Sequence, residues 1–283
     1  NATIHAPDGE AISLSDKLRS KISSKPEHWA AARKLSEQVS SDDVIFCTGE
    51  DIGIPVAAVC GELSDRPKVV VYFHNIDRLR GRVALKLFGL ANKIDVFMAC
   101  ASPQTNFLRS YLAIPESRIL LLLEQTDTQF FTPGPVSSEK KRQTVVSVGL
   151  EKRDYRLLAA ATADLDVDVK ISGFSKDAKA LSQAFPDTMP ENMSRKFYEW
   201  PDLVQLYRDA DVVAVCLTDN KYAAGVQGLV EAMACKRPVA ITRTQGMVDY
   251  LATDIAKVVD VGDAAGLREA IVHLLKNPQE AES

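Results

Sequence analysis

The hydrophobic residues of this chain fall into short uninterrupted runs that are separated by longer amphipathic stretches. The run at residues 68–74 (KVVVYFH) is rich in β-branched residues and lacks polar alternation, which is typical of parallel strands buried on both faces. Similar runs predict strands at 43–47, 95–99 and 118–123, and the amphipathic stretches predict helices at 55–63, 82–92 and 103–112. The β-α-β-α-β order predicts a doubly wound parallel sheet.

Residues 132–143 (TPGPVSSEKKRQ) interrupt this rhythm with the composition of a linker. The rhythm then restarts, with strands predicted at 144–148, 167–171, 211–217 and 238–242 and helices at 153–163, 176–184, 203–208, 226–234 and 264–276. The sequence therefore predicts two consecutive α/β domains, residues 1–134 and 135–283. Ligands of such sheets bind at the carboxyl ends of the strands, and we expect a cleft between the domains.

Composition and charge narrow the class of protein. A length of 283 residues, at roughly 150 residues per domain, agrees with two domains. The 34 basic and 38 acidic residues give a net charge of −4, which argues against a nucleic-acid partner. No run of about 18 apolar residues occurs, so no membrane-spanning helix is predicted. The five cysteines lie in apolar stretches without metal-ligand spacing, which indicates buried thiols in a reducing cytoplasm.

The segment at residues 221–239 (KYAAGVQGLVEAMACKRPV) contains the richest candidate chemistry. A glycine-containing turn leads from a predicted strand into a predicted helix. The backbone N–H groups of Gly225, Val226 and Gln227 would then point at an anion, which the helix dipole favours. Glu231, on the first turns of that helix, would accept two hydrogen bonds from a ribose diol. The alternative is a routine strand–helix turn with a solvated glutamate.

The pattern G-x-x-x-L-V-E-A-M-A-C-x-x-P-V in this segment resembles the signature of retaining, nucleotide-sugar-dependent glycosyltransferases of family 4. Residues 111–133 resemble the family's hinge segment. Residues 146–157 resemble the strand–loop–helix that opens its donor domain, and residues 194–213 resemble the helix before its penultimate strands. The resemblance implies the GT-B fold, in which two Rossmann-like domains face a cleft.

The same resemblance implies a function for each domain. The C-terminal domain would bind the nucleotide sugar, with Glu231 as a donor ligand, and the N-terminal domain would bind a glycan, lipid or small-molecule acceptor. The enzyme, of hexosyltransferase type, would transfer the sugar to an acceptor hydroxyl with retention of configuration, without a metal or another cofactor. Such enzymes usually have an extra strand at the start and a helix that crosses back at the end, so we expect pieces to be missing at both termini.

Two departures from the family pattern concern the donor side. Ala223 stands where the family usually has the first glutamate of a pair, and Leu150 stands where an arginine usually follows Gly149. Lys152 and Arg153 follow closely, and they are catalytic candidates because the charge on a departing diphosphate needs fixed cations. The alternative is a solvent-facing charged loop. We interpret both departures as the mark of a divergent branch with a G-x-E-x-R-D-Y pattern.

Gly149 and three further residues are also donor-binding candidates. Gly173 and Phe174 follow the strand predicted at 167–171, and in the resembling fold this loop lines the nucleotide. Trp200, in the sequence YEWP, either stacks on the base or lies in the core.

The candidate acceptor-site residues lie at or just after the ends of the first two predicted strands. His74 ends the strand predicted at 68–74, and the resemblance places it near the reacting sugar as a catalytic candidate. The alternative is a capping or core histidine. Glu50 and Asp51 would bind acceptor hydroxyls, unless Asp51 caps the start of a helix.

The sequence also bears on metal binding, membrane contact and rival functions. Asp164, Asp166 and Asp168 alternate with apolar residues, so we interpret them as solvent-facing acids and predict no metal site. Residues 78–93 (RLRGRVALKLFGLANK) predict either a helix packed on the sheet with its basic residues outward or a helix that contacts a membrane surface. A nucleotide-sugar isomerase (epimerase) of the same fold and a non-catalytic nucleotide- or sugar-binding protein remain rival functions, and the sequence leaves the oligomeric state open.

Overall fold

The computed structural model describes residues 2–174, 182–251 and 255–281. The chain divides into two compact units, residues 1–123 and 124–283. Most of the helix predicted at 176–184 lies outside the described residues, and its last residues, Ser182–Ala184, form a 3-10 helix.

The first unit contains a parallel sheet of four strands in the order β1-β2-β3-β4. Its strands are β1 (Val44–Cys47), β2 (Lys68–Phe73), β3 (Val96–Ala99) and β4 (Ile119–Leu121). Its α-helices are α1 (Leu14–Ser20), α2 (Pro26–Leu35), α3 (Glu50–Cys60), α4 (Leu79–Leu87) and α5 (Ser102–Leu112). One core cluster joins the sheet to its helices, with Trp29, Phe73 and Phe97 fully buried.

The second unit contains a parallel sheet of six strands in the order β10-β9-β8-β5-β6-β7. Its strands are β5 (Thr144–Val148), β6 (Asp168–Ser172), β7 (Met193–Arg195), β8 (Val212–Val215), β9 (Val239–Thr242) and β10 (Lys257–Val259). Its α-helices are α6 (Tyr155–Thr162), α7 (Trp200–Asp209), α8 (Val226–Ala234) and α9 (Ala264–Lys276). The predicted α/β fold with two parallel sheets is confirmed.

Both faces of the second sheet carry a hydrophobic core. Val213 and Val215 of β8 belong to one core cluster, whereas Val212 and Ala214 belong to another. Successive side chains of a strand point to opposite faces of its sheet, so each cluster covers one face. The uninterrupted apolar runs in the sequence thus reflect burial on both sides, as predicted.

Helix α3 begins earlier than the prediction of 55–63, at Glu50, and it includes Pro55. Proline has no N–H, so the carbonyl of Asp51, four residues earlier, receives no hydrogen bond from Pro55 within the helix. That carbonyl accepts instead from Nδ1 of His28, at 2.9 Å. A side chain of α2 therefore replaces the missing backbone donor and lets the helix start before the proline.

The sequence pattern missed short elements at the edges of both units. Helix α1 buries only Asp16, so it has no apolar face toward the core, although a capping box of Ser13 and Asp16 marks its start. Strands β7 and β10 have three residues each and lie at opposite edges of the second sheet. Elements this short carry too little periodicity for a pattern-based prediction.

Residues 124–134 lie in the second unit, so the division falls earlier than the predicted boundary after residue 134. Phe131 is buried in a second-unit core cluster and packs edge-on against Tyr207 at 5.9 Å. Arg208 Nε donates to the carbonyl of Thr132 at 3.0 Å. The segment is thus fixed to helix α7 where the linker-like residues begin.

All five cysteines are buried and free. Burial raises the pKa of the Cys47 and Cys216 thiols to about 12, which keeps them protonated and unreactive. Among the described residues, none of the helices has the length and apolar character that a membrane span requires.

Gly53 tests how tightly α3 packs on the first sheet. A Cβ at this position would lie 2.3 Å from Cγ1 of Val71, a fully buried residue of β2. We expect Gly53→Ala to lower the free energy of unfolding by about 1–3 kcal/mol, measured by urea denaturation. Val71→Ala makes room for the new methyl group, so the double variant should lose less than the sum of the two single changes. Additive losses would contradict the contact.

Candidate functional site

The loop that follows β5 is built around the side chain of Arg153. Its Nε donates to the carbonyl of Val148 at 2.9 Å, and its Nη1 donates to that of Glu151 at 3.1 Å. Gly149 has φ +99°, and a Cβ there would lie 2.5 Å from Nη2 of Arg153. Only glycine fits this position, because the guanidinium fills the space that a side chain would need.

Backbone hydrogen bonds fix the same loop to the end of β8. Asp154 N–H donates to the carbonyl of Cys216, and Thr218 N–H donates to that of Lys152, both at 2.9 Å. Lys152 has φ +56° and an exposed side chain, whereas Arg153 is 5% exposed. The solvent-facing alternative is therefore wrong for Arg153, and the two predicted cations have different environments.

The glycine turn before α8 has the geometry that the sequence predicts. Gly225 is the N-cap with φ +94°, and a Cβ there would lie 2.9 Å from Leu217 and 3.0 Å from Val215. The helix begins at Val226, and no side chain caps its N-terminus. The side chain of Gln227 reaches Glu124 at 3.4 Å. The N-terminal backbone of α8 is thus presented without a capping side chain.

Glu231 points into the protein and not into solvent. It is 7% exposed, and Oε2 accepts a hydrogen bond of 2.7 Å from the hydroxyl of Tyr207, which is fully buried. Burial raises the pKa of the Glu231 carboxyl, and the Tyr207 hydrogen bond and the charge of Arg153 oppose that rise. The solvated-glutamate alternative is therefore wrong.

Gly228 of α8 lies close to both Arg153 and Tyr207. A Cβ at Gly228 would lie 3.5 Å from Nη2 of Arg153 and 3.9 Å from the hydroxyl of Tyr207. We name Glu231, Tyr207, Arg153, Gly149 and Gly228 the Glu231 cluster. Sequence reasoning missed Tyr207 and Gly228. Gly228 could have been found as the second glycine of the GVQG turn. The only sequence feature that points to Tyr207 is its position in the segment at 194–213.

A second group of side chains surrounds the end of β6. Arg195 donates to the carbonyl of Gly173 at 2.7 Å, and its guanidinium lies 4.4 Å from the ring centre of Phe174 and 4.1 Å from that of Phe185. Phe174 is 41% exposed and meets Phe197 edge-on at 5.9 Å. The structure thus surrounds the predicted Gly173–Phe174 pair with a cation and aromatic rings that the sequence did not single out.

Trp200 is the first residue of α7 and is 62% exposed. Its ring lies 6.5 Å from those of Phe130 and Phe131. The alternative of a core tryptophan is wrong, because the indole projects from the helix start with a large exposed area.

In the first unit, Glu50 holds the end of β2. Its two carboxylate oxygens accept from the N–H groups of His74 and Asn75, at 2.9 and 3.0 Å. Nε2 of His74 bonds the carbonyl of Thr48 at 2.9 Å, and the imidazole meets Tyr72 edge-on at 4.6 Å. Both carboxylate oxygens of Glu50 thus accept from backbone N–H groups, and its side chain is 12% exposed. Its role as a ligand for acceptor hydroxyls stays a prediction.

Asp51 lies exposed in the first turn of α3. The N-cap is Gly49, and no side chain caps this helix. The predicted alternative that Asp51 caps the helix is wrong, because the helix starts two residues too early for it.

The three alternating aspartates each pair with an arginine. Asp164 pairs with Arg268, and Asp166 and Asp168 pair with Arg142. These ion pairs account for the acids as surface charges around the start of β6.

The pH dependence of folding tests the Glu231 cluster. Burial raises the pKa of Glu231 above its ordinary value of 4.5. At a pH between 4.5 and the raised pKa, the folded chain therefore binds more protons than the unfolded chain. This group therefore lowers the free energy of unfolding as the pH rises through that window. Tyr207→Phe removes a hydrogen-bond donor to the carboxylate, so we expect stability to keep falling to higher pH in this variant. At pH 8 the free energy of unfolding, measured by urea denaturation, should be about 1–3 kcal/mol lower than in the unchanged protein.

Tyr155→Phe is the matched control. Tyr155 is fully buried and donates to the carbonyl of Gly149, which does not titrate. The Tyr155→Phe variant should have a lower free energy of unfolding at every pH, without the added pH dependence. Equal pH profiles for the two variants would contradict the pairing of Tyr207 with an ionisable Glu231.

Comparison with known proteins places these features in a family context. Residues 143–277 match the protein-family model described as glycosyl transferases group 1. Comparison with curated proteins gives no significant match.

Several solved structures share the fold. HepE from Anabaena, solved with UDP and glucose, superposes with a TM-score of 0.73 at 16% identity, covering 99% of this chain and 77% of that one. An α,α-trehalose-phosphate synthase (UDP-forming) from Burkholderia xenovorans, solved with glucose-6-phosphate, gives 0.66 at 15% identity, covering 90% and 73%. A glycosyltransferase from Rickettsia africae gives 0.66 at 12% identity, also covering 90% and 73%. The matches show that the chain has the two-sheet α/β fold of GT-B glycosyltransferases, and the family model for glycosyl transferases group 1 matches the second unit alone.

Proposed function

We propose that this chain is a retaining glycosyltransferase, of hexosyltransferase type within family 4, that moves a sugar from a nucleoside diphosphate sugar to an acceptor hydroxyl without a metal. The observation that carries the proposal is the Glu231 cluster beside the uncapped N-terminus of α8, within the region that matches the family model. This arrangement places a buried carboxylate, a buried cation and a helix N-terminus without a capping side chain on adjoining elements.

The diphosphate is assigned to the start of α8. The N–H of Val226 donates to the carbonyl of Ala223 at 3.4 Å, so the anion is assigned to the N–H groups of Gly225 and Gln227. The positive end of the helix dipole favours an anion there. Arg153 adds a fixed buried charge and Lys152 an exposed one. Charges held rigidly in a site that excludes water stabilise a departing diphosphate more than mobile surface charges do.

The nucleoside is assigned to Glu231 and to the aromatic residues near β6. Tyr207 occupies Oε2 of Glu231, which leaves Oε1 to accept from a ribose hydroxyl. Gly173, Phe174 and Trp200 are assigned to the base, because the two aromatic side chains are exposed enough to stack. HepE binds UDP-glucose in its solved complex, which supports a uridine diphosphate hexose as the donor class.

The acceptor is assigned to the first unit, with His74 as the catalytic candidate and Asp51 as an exposed ligand for hydroxyls. Glu50 acts through His74 by holding its backbone N–H. The acceptor class remains a glycan, a lipid or a small molecule. Catalysis then consists of positioning the acceptor hydroxyl and stabilising the charge that leaves with the diphosphate. Five buried thiols fit a reducing cytoplasm as the location.

One observation favours a second candidate, a nucleotide-binding protein without catalytic activity. Leu150 is 7% exposed and so contributes packing where the family usually offers an arginine, and Ala223 offers no carboxylate. Such a protein would bind the nucleotide at the same Glu231 cluster but would neither transfer nor hydrolyse the sugar.

Glu231→Gln tests the donor site. The change keeps the size of the side chain but removes its charge, so we expect the Kd for UDP to rise about 10- to 100-fold in isothermal titration calorimetry. The fold should remain intact, because a neutral group avoids the cost of burying a carboxylate.

Glu269→Gln is the control, since Glu269 is exposed on α9. It should bind UDP like the unchanged protein. An unaltered Kd in Glu231→Gln would contradict the ribose assignment.

The reaction itself is tested by product analysis. We expect the anomeric configuration of the donor sugar to be kept in the product, as seen by ¹H NMR coupling constants. The rate should be unchanged by excess EDTA, because fixed cations and a helix N-terminus take the place of a metal. An inverted product, or a loss of activity that Mg²⁺ restores, would contradict this mechanism. Nucleotide binding with neither transfer nor hydrolysis would identify the second candidate.

A further inference from the structure

Helix α4 exposes an apolar row to solvent. Leu79, Val83 and Leu87 recur every four residues and are 79%, 44% and 61% exposed. Only Ala84 and Leu85 of this helix are buried. The alternative of a packed helix with its basic residues outward thus holds for Ala84 and Leu85, whereas Leu79, Val83 and Leu87 form a continuous stripe on the outer surface.

A basic row runs beside the apolar row. Arg78, Arg82 and Lys86 have the same four-residue spacing and are exposed. Two of them lie over aromatic rings, with Arg82 5.1 Å from the ring centre of Phe107 and Lys86 4.5 Å from that of Tyr111. Residues 78–93 include five basic and no acidic residues, whereas the whole chain has a net charge of −4. Three of the five lie against carboxylates from outside the stretch. Arg82 pairs with Asp77, Arg78 lies 3.7 Å from Glu50, and Lys93 pairs with Glu62 at 2.7 Å. Five basic residues against these three acids still leave a positive balance on this helix.

Helix α1 repeats the pattern next to it. Leu14 and Leu18 are 79% and 63% exposed, and Lys17 is exposed between them. Arg80, at the start of α4, donates to the carbonyls of Ser20 and Lys21 at the end of α1, at 3.2 and 3.3 Å. Two adjacent helices thus combine exposed leucines with basic residues.

We propose that α4 docks on the surface of an anionic lipid bilayer. A helix that lies in the interface inserts its apolar side chains among the acyl chains and places its basic residues at the anionic headgroups. A second copy of the chain is a poorer occupant, because a symmetric contact would bring the two basic rows together. The proposal is independent of the nucleotide-sugar site.

Vesicle co-sedimentation of the full chain, without nucleotide, tests the proposal. The probes are vesicles of phosphatidylcholine alone and of an equimolar mixture of phosphatidylglycerol and phosphatidylcholine. We expect binding to the anionic vesicles that weakens with salt, and little binding to the neutral ones. Leu79→Ser with Leu87→Ser should weaken binding at least about tenfold, and Lys86→Glu about fivefold or more.

The controls change the same chemistry at other places. Val248→Ser removes an apolar residue that is 58% exposed in the second unit, and Lys141→Glu reverses an exposed charge outside α4. Both should bind vesicles like the unchanged chain, and circular dichroism should show that all variants fold. Equal binding to both vesicle types, equal binding by the α4 variants, or an α4-dependent dimer in analytical ultracentrifugation would overturn the proposal.

Discussion

The burial of one carboxylate governs the architecture of the second unit. Glu231 lies in the interior, where an ionised group is costly unless hydrogen bonds and opposite charge compensate it. Tyr207 supplies the hydrogen bond, and Arg153 supplies the charge. The guanidinium in turn takes the space that a side chain at Gly149 would need, so the loop after β5 requires glycine at this position. A Cβ at Gly228 in α8 would lie in contact with the same guanidinium, at 3.5 Å.

How far the sequence predicts the fold depends on the length and periodicity of each element. The strand at 144–148 and the helices at 226–234 and 264–276 have the predicted bounds, because their apolar residues repeat with one clear period. Helix α3 does not, because Pro55 indicates a helix start and only a tertiary hydrogen bond from His28 allows an earlier one. Local pattern cannot report a donor that comes from another helix.

The same distinction applies to the candidate site. Glu231 and Gly225 are visible in the sequence because one local motif contains both. Tyr207 is 24 residues from Glu231, and Arg195 is 22 residues from Gly173, so these contacts exist only once neighbouring strands and helices have paired. The contacts of Glu50 are hidden from the sequence for the same reason, since its backbone partners His74 and Asn75 lie 24 and 25 residues away, after the end of β2.

Local charge, and not net charge, decides what each surface of this protein attracts. The net charge of −4 would repel a diphosphate or an anionic bilayer, but exposed charges beyond about 8–10 Å are largely screened at physiological salt. Arg153 acts within that range because it is buried beside its partners. The basic row of α4 acts within it because its three cations outnumber the two carboxylates that pair with them, Glu50 and Asp77. A mildly acidic chain therefore holds positive charge in two local environments, one buried in the second unit and the other exposed beside apolar side chains, and the chemistry of each follows from its immediate neighbours.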